Sequence, residues 1–295
     1  MSDMPHKFEV QVQEYLAKLS AGEAPPVDDV LIDQACEEFR AALKKQFTES
    51  RSKEFTVRMS NAGRAKCQLW WQKNHPDLGQ PMSYDFAMKM LLGDAIEVLA
   101  LLIMRASGIT IDSYHGKVTL PLRDEGSSIN GEYDVIIDDK VWDIKSASPF
   151  AFEHKFKDFQ SLQRSDSFGY LAQGYGYAKA SGKDLGGWIV INKSTGQWKF
   201  VEAPPNNPVY VDVIQATHDY IATDRPLFRE YETVEETYRK KPTGNWHIPM
   251  ECSFCEYKFP CWGDLKYRRC EASQAKNKPW RYYTKYVEPE ETNNT

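Results

Sequence analysis

Asp134, Asp143 and Lys145 lie in one short segment, from Gly131 to Ser146. In a strand, residues i and i+2 project from the same face, so Asp143 and Lys145 point together. Asp138-Asp139-Lys140 is short enough to force a hairpin, which brings Asp134 across to that face. Two hard carboxylate oxygens suit Mg²⁺ or Mn²⁺, which keep several waters and accept phosphate oxygens as further ligands. Such an ion polarises a phosphodiester and lowers the pKa of a bound water. A lysine beside it positions that water or stabilises the negative charge that builds on the phosphorane. The same residue types also describe a solvated hairpin. Here, however, Asp143-Ile144-Lys145 ends a strand, after Val141-Trp142 and before Ser-Ala-Ser-Pro.

A second pattern follows about a hundred residues later. Cys252, Cys255 and Cys261 form C-x-x-C-x-x-x-x-x-C. Three thiolates so close suit zinc or an iron–sulfur centre, and either needs a fourth ligand. Cys270 is near in sequence and would make a local zinc knuckle, whereas Cys67 is distant. The plainer alternative is a set of reduced, buried thiols. A disulfide framework is not expected of six cysteines in a chain of 295 residues that opens Met-Ser-Asp-Met-Pro-His, with no apolar signal region. The expected compartment is cytoplasmic.

Periodicity supplies the elements that must hold these groups. A helix is expected over Asp28–Gln46 and a long one over Ser83–Ala106, ended by Ser107-Gly108. Strands are expected at Lys117–Leu122, Tyr133–Ile137 and Val141–Lys145. A helix over Ser165–Ser181 follows, then strands Trp188–Asn192 and Gln197–Val201 around a second hairpin, and helices near Val209–Thr223 and Leu227–Arg239. Helix, three strands, helix, strand makes a mixed α/β sheet flanked by helices. The domain expectation is a helical N-terminal region over 1–82 holding Cys67, a core over 83–205, and a helical, cysteine-rich region over 206–295 packed back on the N-terminal part.

Hydrophobic content of 41% and charged content of 27% indicate a folded, globular chain. The most apolar stretch, Ala87 to Ala106, is broken by Lys89, Asp94, Glu97 and Arg105, so it reads as a buried helix and no membrane partner is expected. Net charge is −5, but its distribution is uneven. Residues 1–40 hold nine acids and three bases, whereas residues 262–285 hold seven bases against Asp264 and Glu271. Trp262, Tyr267, Trp280, Tyr282 and Tyr283 interleave with those bases. Bases and aromatics together suit single-stranded nucleic acid. A solvated extension is the plainer alternative.

Gly131-x-x-Asp134, Asp143-Ile144-Lys145 and Gln173-x-x-x-Tyr177 together resemble the motifs of the PD-(D/E)xK nuclease superfamily, and of its RecB-like branch in particular. The chain is similar to CRISPR-associated iron–sulfur nucleases and to lambda-exonuclease-like nucleases. The resemblance covers roughly Arg58 to Cys261, and its specificity lies in the order and joint presence of the motifs. It implies a restriction-endonuclease-like fold and a Mg²⁺- or Mn²⁺-dependent DNA exonuclease. Lys145 would be the catalytic lysine, and Glu97, Asp134 and Asp143 the metal ligands, with the Ile144 carbonyl. Gln173 and Tyr177 would support the site. Asp94 competes with Glu97 for the upstream acidic position, where the CRISPR-associated nucleases more often carry histidine; His115 is read as a strand-edge residue.

Cys67 with Cys252, Cys255 and Cys261 matches the cysteine arrangement of the iron–sulfur members. That implies a 4Fe-4S cluster, with Cys36 and Cys270 free. Arg58, Ser60 and Arg64, placed just before Cys67, are candidates for a terminal phosphate. The expected partner is a DNA end, single-stranded or being resected, and a homo-oligomer or a recombination-protein partner is compatible with this. The competing reading is a non-catalytic nucleic-acid-binding or scaffold protein with a zinc- or cluster-stabilised tail.

Overall fold

In the computed structural model, residues 4–48, 55–81, 83–223 and 225–287 are described. The chain forms two units, one from residues 1–64 and 83–222, the other from 65–82 and 223–295. The boundaries expected at 82 and 205 therefore shift. The N-terminal helices belong with the central sheet, while the stretch holding Cys67 belongs with the C-terminal residues.

The first unit begins with α1 (Lys7–Ala21), α2 (Asp29–Phe47) and the short α3 (Met59–Ala62). Asp28 caps α2 by accepting from the Val30 amide at 2.9 Å. After α4 (Lys66–Asn74), which belongs to the second unit, comes the long α5 (Tyr84–Ala106). β1 (Ser113–Pro121), β2 (Ser128–Ile137) and β3 (Lys140–Ala147) form an antiparallel meander. A π-helical turn (Ala151–Lys155), α6 (Phe159–Arg164) and α7 (Tyr170–Ser181) cross over to β4 (Asp184–Asn192), which pairs parallel with β3. β5 (Trp198–Glu202) closes the sheet in the order β1-β2-β3-β4-β5, and α8 (Pro208–Ala222) follows. The expected helix, three strands, helix, strand order is present in this mixed sheet. The helix expected from Ser165 starts instead at Tyr170, because Gly169 adopts φ +78° and Asp166 accepts from the amides of Tyr170 and Leu171.

The buried side chains of the sheet divide between two cores. One packs Ile129, Tyr133, Ile136 and Val141 against α3, α7 and Ile214 of α8. The other packs Val135, Ile137, Trp142 and Ile144 against Phe8 and Val12 of α1 and Leu101 and Met104 of α5. Burying side chains of this size stabilises by about 1.5–3 kcal/mol each. α2 is tied to α5 by Arg105–Glu38 at 3.1 Å, both about one-tenth exposed.

The second unit adds β6 (Val234–Tyr238), β7 (Lys241–His247), the short α9 (Met250–Ser253) and α10 (Lys258–Trp262), β8 (Lys266–Arg269) and β9 (Trp280–Lys285). Its strands form an antiparallel sheet in the order β6-β7-β9-β8. The helix expected over Leu227–Arg239 is absent there; extended chain and β6 take its place. Glu236 is the reason. Although 3% exposed, it accepts from Cys270 Sγ (3.0 Å), Tyr283 Oη (2.5 Å), Asn245 Nδ2 (2.9 Å) and Thr243 Oγ1 (3.0 Å). An edge strand beside β7 delivers this one carboxylate to all four donors on β7, on β9 and just after β8. Among the described residues, no helix is long and apolar enough to cross a membrane.

Candidate functional site

The β2–β3 ladder pairs Ile137 with Lys140, Ile136 with Val141 and Val135 with Trp142. The next pair along the strands is Asp134 and Asp143. Here the Ile144 amide donates to Asp134 Oδ2 at 2.6 Å, so a side chain replaces the opposite backbone. Asp143 and Asp134 thus share a face, with Lys145 two residues on. Lys145 Nζ lies 2.7 Å from Asp143 Oδ2 and 5.3 Å from the centre of the Tyr170 ring. Asp143 is 1% exposed, and its Oδ1 is buried with no hydrogen-bond partner.

α5 brings Glu97 to the same place, within electrostatic reach of Asp134, Lys145 and Asp143. Asp94, one turn earlier, also lines the cleft but accepts from Gln46 Nε2 at 2.8 Å. Of the two candidates, Glu97 is the one whose environment is set by the aspartates and the lysine. His115 Nδ1 stands 3.4 Å from Glu97 Oε1 and 3.9 Å from Glu132 Oε1. It holds φ +50°, a costly value for a non-glycine residue. His115 therefore faces the acidic group, a position that its place on a strand did not reveal.

Burial pushes the Glu97 carboxyl up to about 9, and repulsion from Asp134 adds to this. Burial likewise pushes Asp143 up to about 7, against the pull of Lys145, and raises Asp134. Burial also disfavours the Lys145 ammonium, but Asp143 and Asp134 more than offset that and hold it charged. Burial is the largest cause at all three carboxyls, and like-charge repulsion adds to it: Asp134 raises Glu97 and Asp143, and Asp143 raises Glu97. A divalent cation beside them would oppose these shifts.

α7 supplies the rest. Gln173 Nε2 donates to the Tyr177 hydroxyl at 2.9 Å, as i,i+4 neighbours on one helix face. The Tyr177 ring packs over Gly131, where a Cβ would lie 2.5 Å from Tyr177 Cε1. A cleft of about 1100 Å³ is lined by Glu97, Asp134, Tyr177, Arg58, Ser60 and Lys117, among others. Arg58 and Ser60 thus reach the site. Arg64 is not part of that lining, and its Nε is buried without a hydrogen-bond partner. Tyr170, which the sequence alone suggests as ordinary core packing, lies instead against the Lys145 ammonium.

In the second unit, Cys67 opens α4, with Cys252 on α9 and Cys261 on α10. Cys252 is within electrostatic reach of Cys67, Cys255 and Cys261, and Cys255 of Cys67 and Cys261. Burial pushes the Cys252 thiol up to about 12 and Cys255 to about 11. N–H donors face the sulfurs: the Trp262 side chain at Cys252, the Tyr257 amide at Cys255 (3.4 Å) and the Glu230 backbone at Cys67. Cys270 stands apart, donating to Glu236. Of the two candidates for a fourth partner, Cys67 joins the triplet. Cys36 is exposed.

Among the described residues, one group of three ligand atoms lies within 4.8 Å of one another: Asp124, His218 and Asp219, outside the cleft. Neither the three cleft carboxylates nor any three of the thiols are that close together.

No family model matches the chain, and no curated protein does. A solved structure titled "Crystal structure of SSO0001" is similar to it at 14% identity and a TM-score of 0.42, over 76% of this chain and 93% of that one.

Proposed function

We propose that the chain is a metal-dependent DNA exonuclease of the RecB-like, iron–sulfur kind, hydrolysing phosphodiester bonds at DNA ends. One observation carries the reading. A carboxylate oxygen, Asp143 Oδ1, is buried without a hydrogen-bond partner beside Asp134, Glu97 and a charged Lys145. Burying such a group unsatisfied is costly, and a cation is the partner that best relieves it. The donors are hard oxygens and fit Mg²⁺ or Mn²⁺, held by Glu97, Asp134 and Asp143, with the Ile144 carbonyl as a further ligand. When bound, the ion supplies Lewis acidity toward the phosphate and a more acidic water.

The chain's own groups do the remainder. Lys145, kept charged by its aspartates, donates to the attacking water or to a phosphorane oxygen. Tyr170 lies against Lys145 and limits its wandering. Gln173 holds the Tyr177 hydroxyl, and Tyr177 forms part of the cleft wall. Arg58 and Ser60 meet the terminal phosphate of the DNA end. His115 steadies Glu97.

For Cys67, Cys252, Cys255 and Cys261 the proposal is a 4Fe-4S cluster tying residues 65–82 to 223–295. One cysteine far upstream of a C-x-x-C-x-x-x-x-x-C triplet is the arrangement of the iron–sulfur members the chain resembles, and this supports the cluster over zinc.

The deciding experiment is degradation of end-labelled single- and double-stranded DNA by anaerobically purified protein with Mn²⁺, Mg²⁺ or EDTA, beside Lys145→Ala. Metal-dependent laddering that the variant lacks supports the nuclease. Binding with no cleavage in any condition moves the assignment to a non-catalytic nucleic-acid-binding protein.

A further inference from the structure

We propose that the outer face of the β8–β9 hairpin is a stacking platform for single-stranded nucleic acid, separate from the cleft and resting on the nuclease reading for its biological substrate. The hairpin pairs Tyr267 with Tyr282 and Arg269 with Trp280, so alternation places these four side chains on one face. Three rings form a column, with centroids 5.0 Å apart for Tyr267–Trp280 and 4.6 Å for Tyr267–Tyr282, both pairs stacked. Phe259 of α10 continues it, edge-on to Tyr282 at 5.9 Å. Cations accompany the rings. The Arg269 guanidinium lies 5.9 Å from the Trp280 ring, while the buried Lys258, whose ammonium donates to the Cys255 carbonyl, backs Tyr282 at 5.2 Å.

The opposite face anchors this surface. Tyr283, fully buried, donates its hydroxyl to Glu236, and Cys270, just after β8, donates to the same carboxylate. The hairpin is therefore anchored from within, and the outward rings gain no burial from the anchoring. Trp280 remains 53% exposed and Tyr267 47%. A cross-strand aromatic ladder stabilises a hairpin by itself. That role, however, does not call for cations alongside the rings.

The chemistry selects the occupant. Residues 262–285 carry seven bases to two acids, which suits a polyanion. Exposed aromatic faces next to an arginine suit unpaired bases, whatever their sequence, because every base has a π-face. A duplex keeps its bases stacked on one another and offers this row only phosphates.

The test is anisotropy of a 5′-labelled oligothymidylate and of a duplex of equal length, in EDTA, with the full-length protein. Tyr267→Ala with Trp280→Ala should weaken single-strand binding about tenfold or more and change duplex binding less than twofold. Tyr267→Phe with Trp280→Phe keeps the rings and should bind within about twofold of wild type. Arg269→Ala should reduce the salt slope for the single strand by about 0.7. Single-strand affinity of the alanine pair within twofold of wild type overturns the platform. So does equal loss for both substrates, or a phenylalanine pair as weak as the alanine pair. If the alanine pair fails to fold, the phenylalanine pair and Arg269→Ala decide the matter alone, and an unchanged salt slope for Arg269→Ala overturns the proposal. Cleavage is read separately in Mn²⁺. A protein that degrades DNA but fails these binding tests keeps the nuclease and loses the platform; one that passes them without ever cleaving does the reverse.

Discussion

Glu236→Gln isolates the network that organises the second sheet. Burial opposes ionisation of Glu236, but the donors Cys270, Tyr283, Asn245 and Thr243 prevail and pull its pKa from 4.5 to about 2. A shift of that size corresponds to about 3 kcal/mol at neutral pH, and solvent screening trims this to about 2 kcal/mol. The sign follows from a folded pKa lying below the unfolded one. The stabilisation is complete above pH 4.5 and is lost as pH falls toward 2, with roughly half left near pH 3. Glutamine removes the charge and sets an amide donor among donors, so the loss at pH 7 is at least about 2 kcal/mol. Hydrogen exchange of the β6, β7 and β9 amides reads this locally, as about thirtyfold less protection in the variant. The gap to wild type should close as pH falls from 4.5. A variant within 0.5 kcal/mol of wild type at pH 7, or a gap that widens on acidification, refutes the reasoning.

Gly131→Ala should displace Tyr177, because the new methyl meets its ring at 2.5 Å and Met59 at 3.1 Å. About 1–3 kcal/mol of stability should be lost in urea titration, with DNA cleavage falling further than Tyr177→Phe lowers it. Cys67→Ser should remove the visible absorbance and iron content of anaerobically purified protein, whereas Cys270→Ser should keep both and lower only the stability of the second unit. The reverse pattern would favour a local zinc knuckle. Glu38→Ala leaves Arg105 buried without its carboxylate and should cost about 3 kcal/mol, read as a lower urea midpoint at unchanged slope. Added Mn²⁺ should raise the melting temperature of the wild type but not of Asp143→Asn, since only a folded carboxylate cluster binds it.

The meander and its carboxylates were legible in the sequence because Tyr133–Ile137 and Val141–Lys145 are short apolar, β-branched runs joined by a short turn. Register then left Asp134 and Asp143 little choice but to meet. Asp94 and Glu97 were not told apart in the sequence, because both sit on one face of α5 and what distinguishes them, the Gln46 hydrogen bond at Asp94 and the nearby Asp134, Asp143 and Lys145 at Glu97, comes from distant segments. The partnership of Cys67 with the C-terminal cysteines was visible only through family resemblance, since no local periodicity connects residues so far apart. The second sheet was missed for a physical reason. In β6 the inward residue is Glu236 and its neighbours are exposed, which inverts the pattern that identifies a strand. A buried carboxylate with four donors looks, in sequence, like one more solvated glutamate.

The second unit is built from two stretches separated by most of the first, and this sets an order of events during synthesis. Cys67 leaves the ribosome long before Cys252, Cys255 and Cys261 are made. At typical elongation rates the wait is on the order of ten to forty seconds. Through that interval α4 lacks the partners that bury its face, while the central sheet, nearly contiguous in the chain, is free to form. Any centre held by the four thiols must therefore be loaded last. A chain broken off between Ala222 and Cys252 could carry an intact cleft but no such centre. The colour of the purified protein would then serve as a check that translation had run past Cys261.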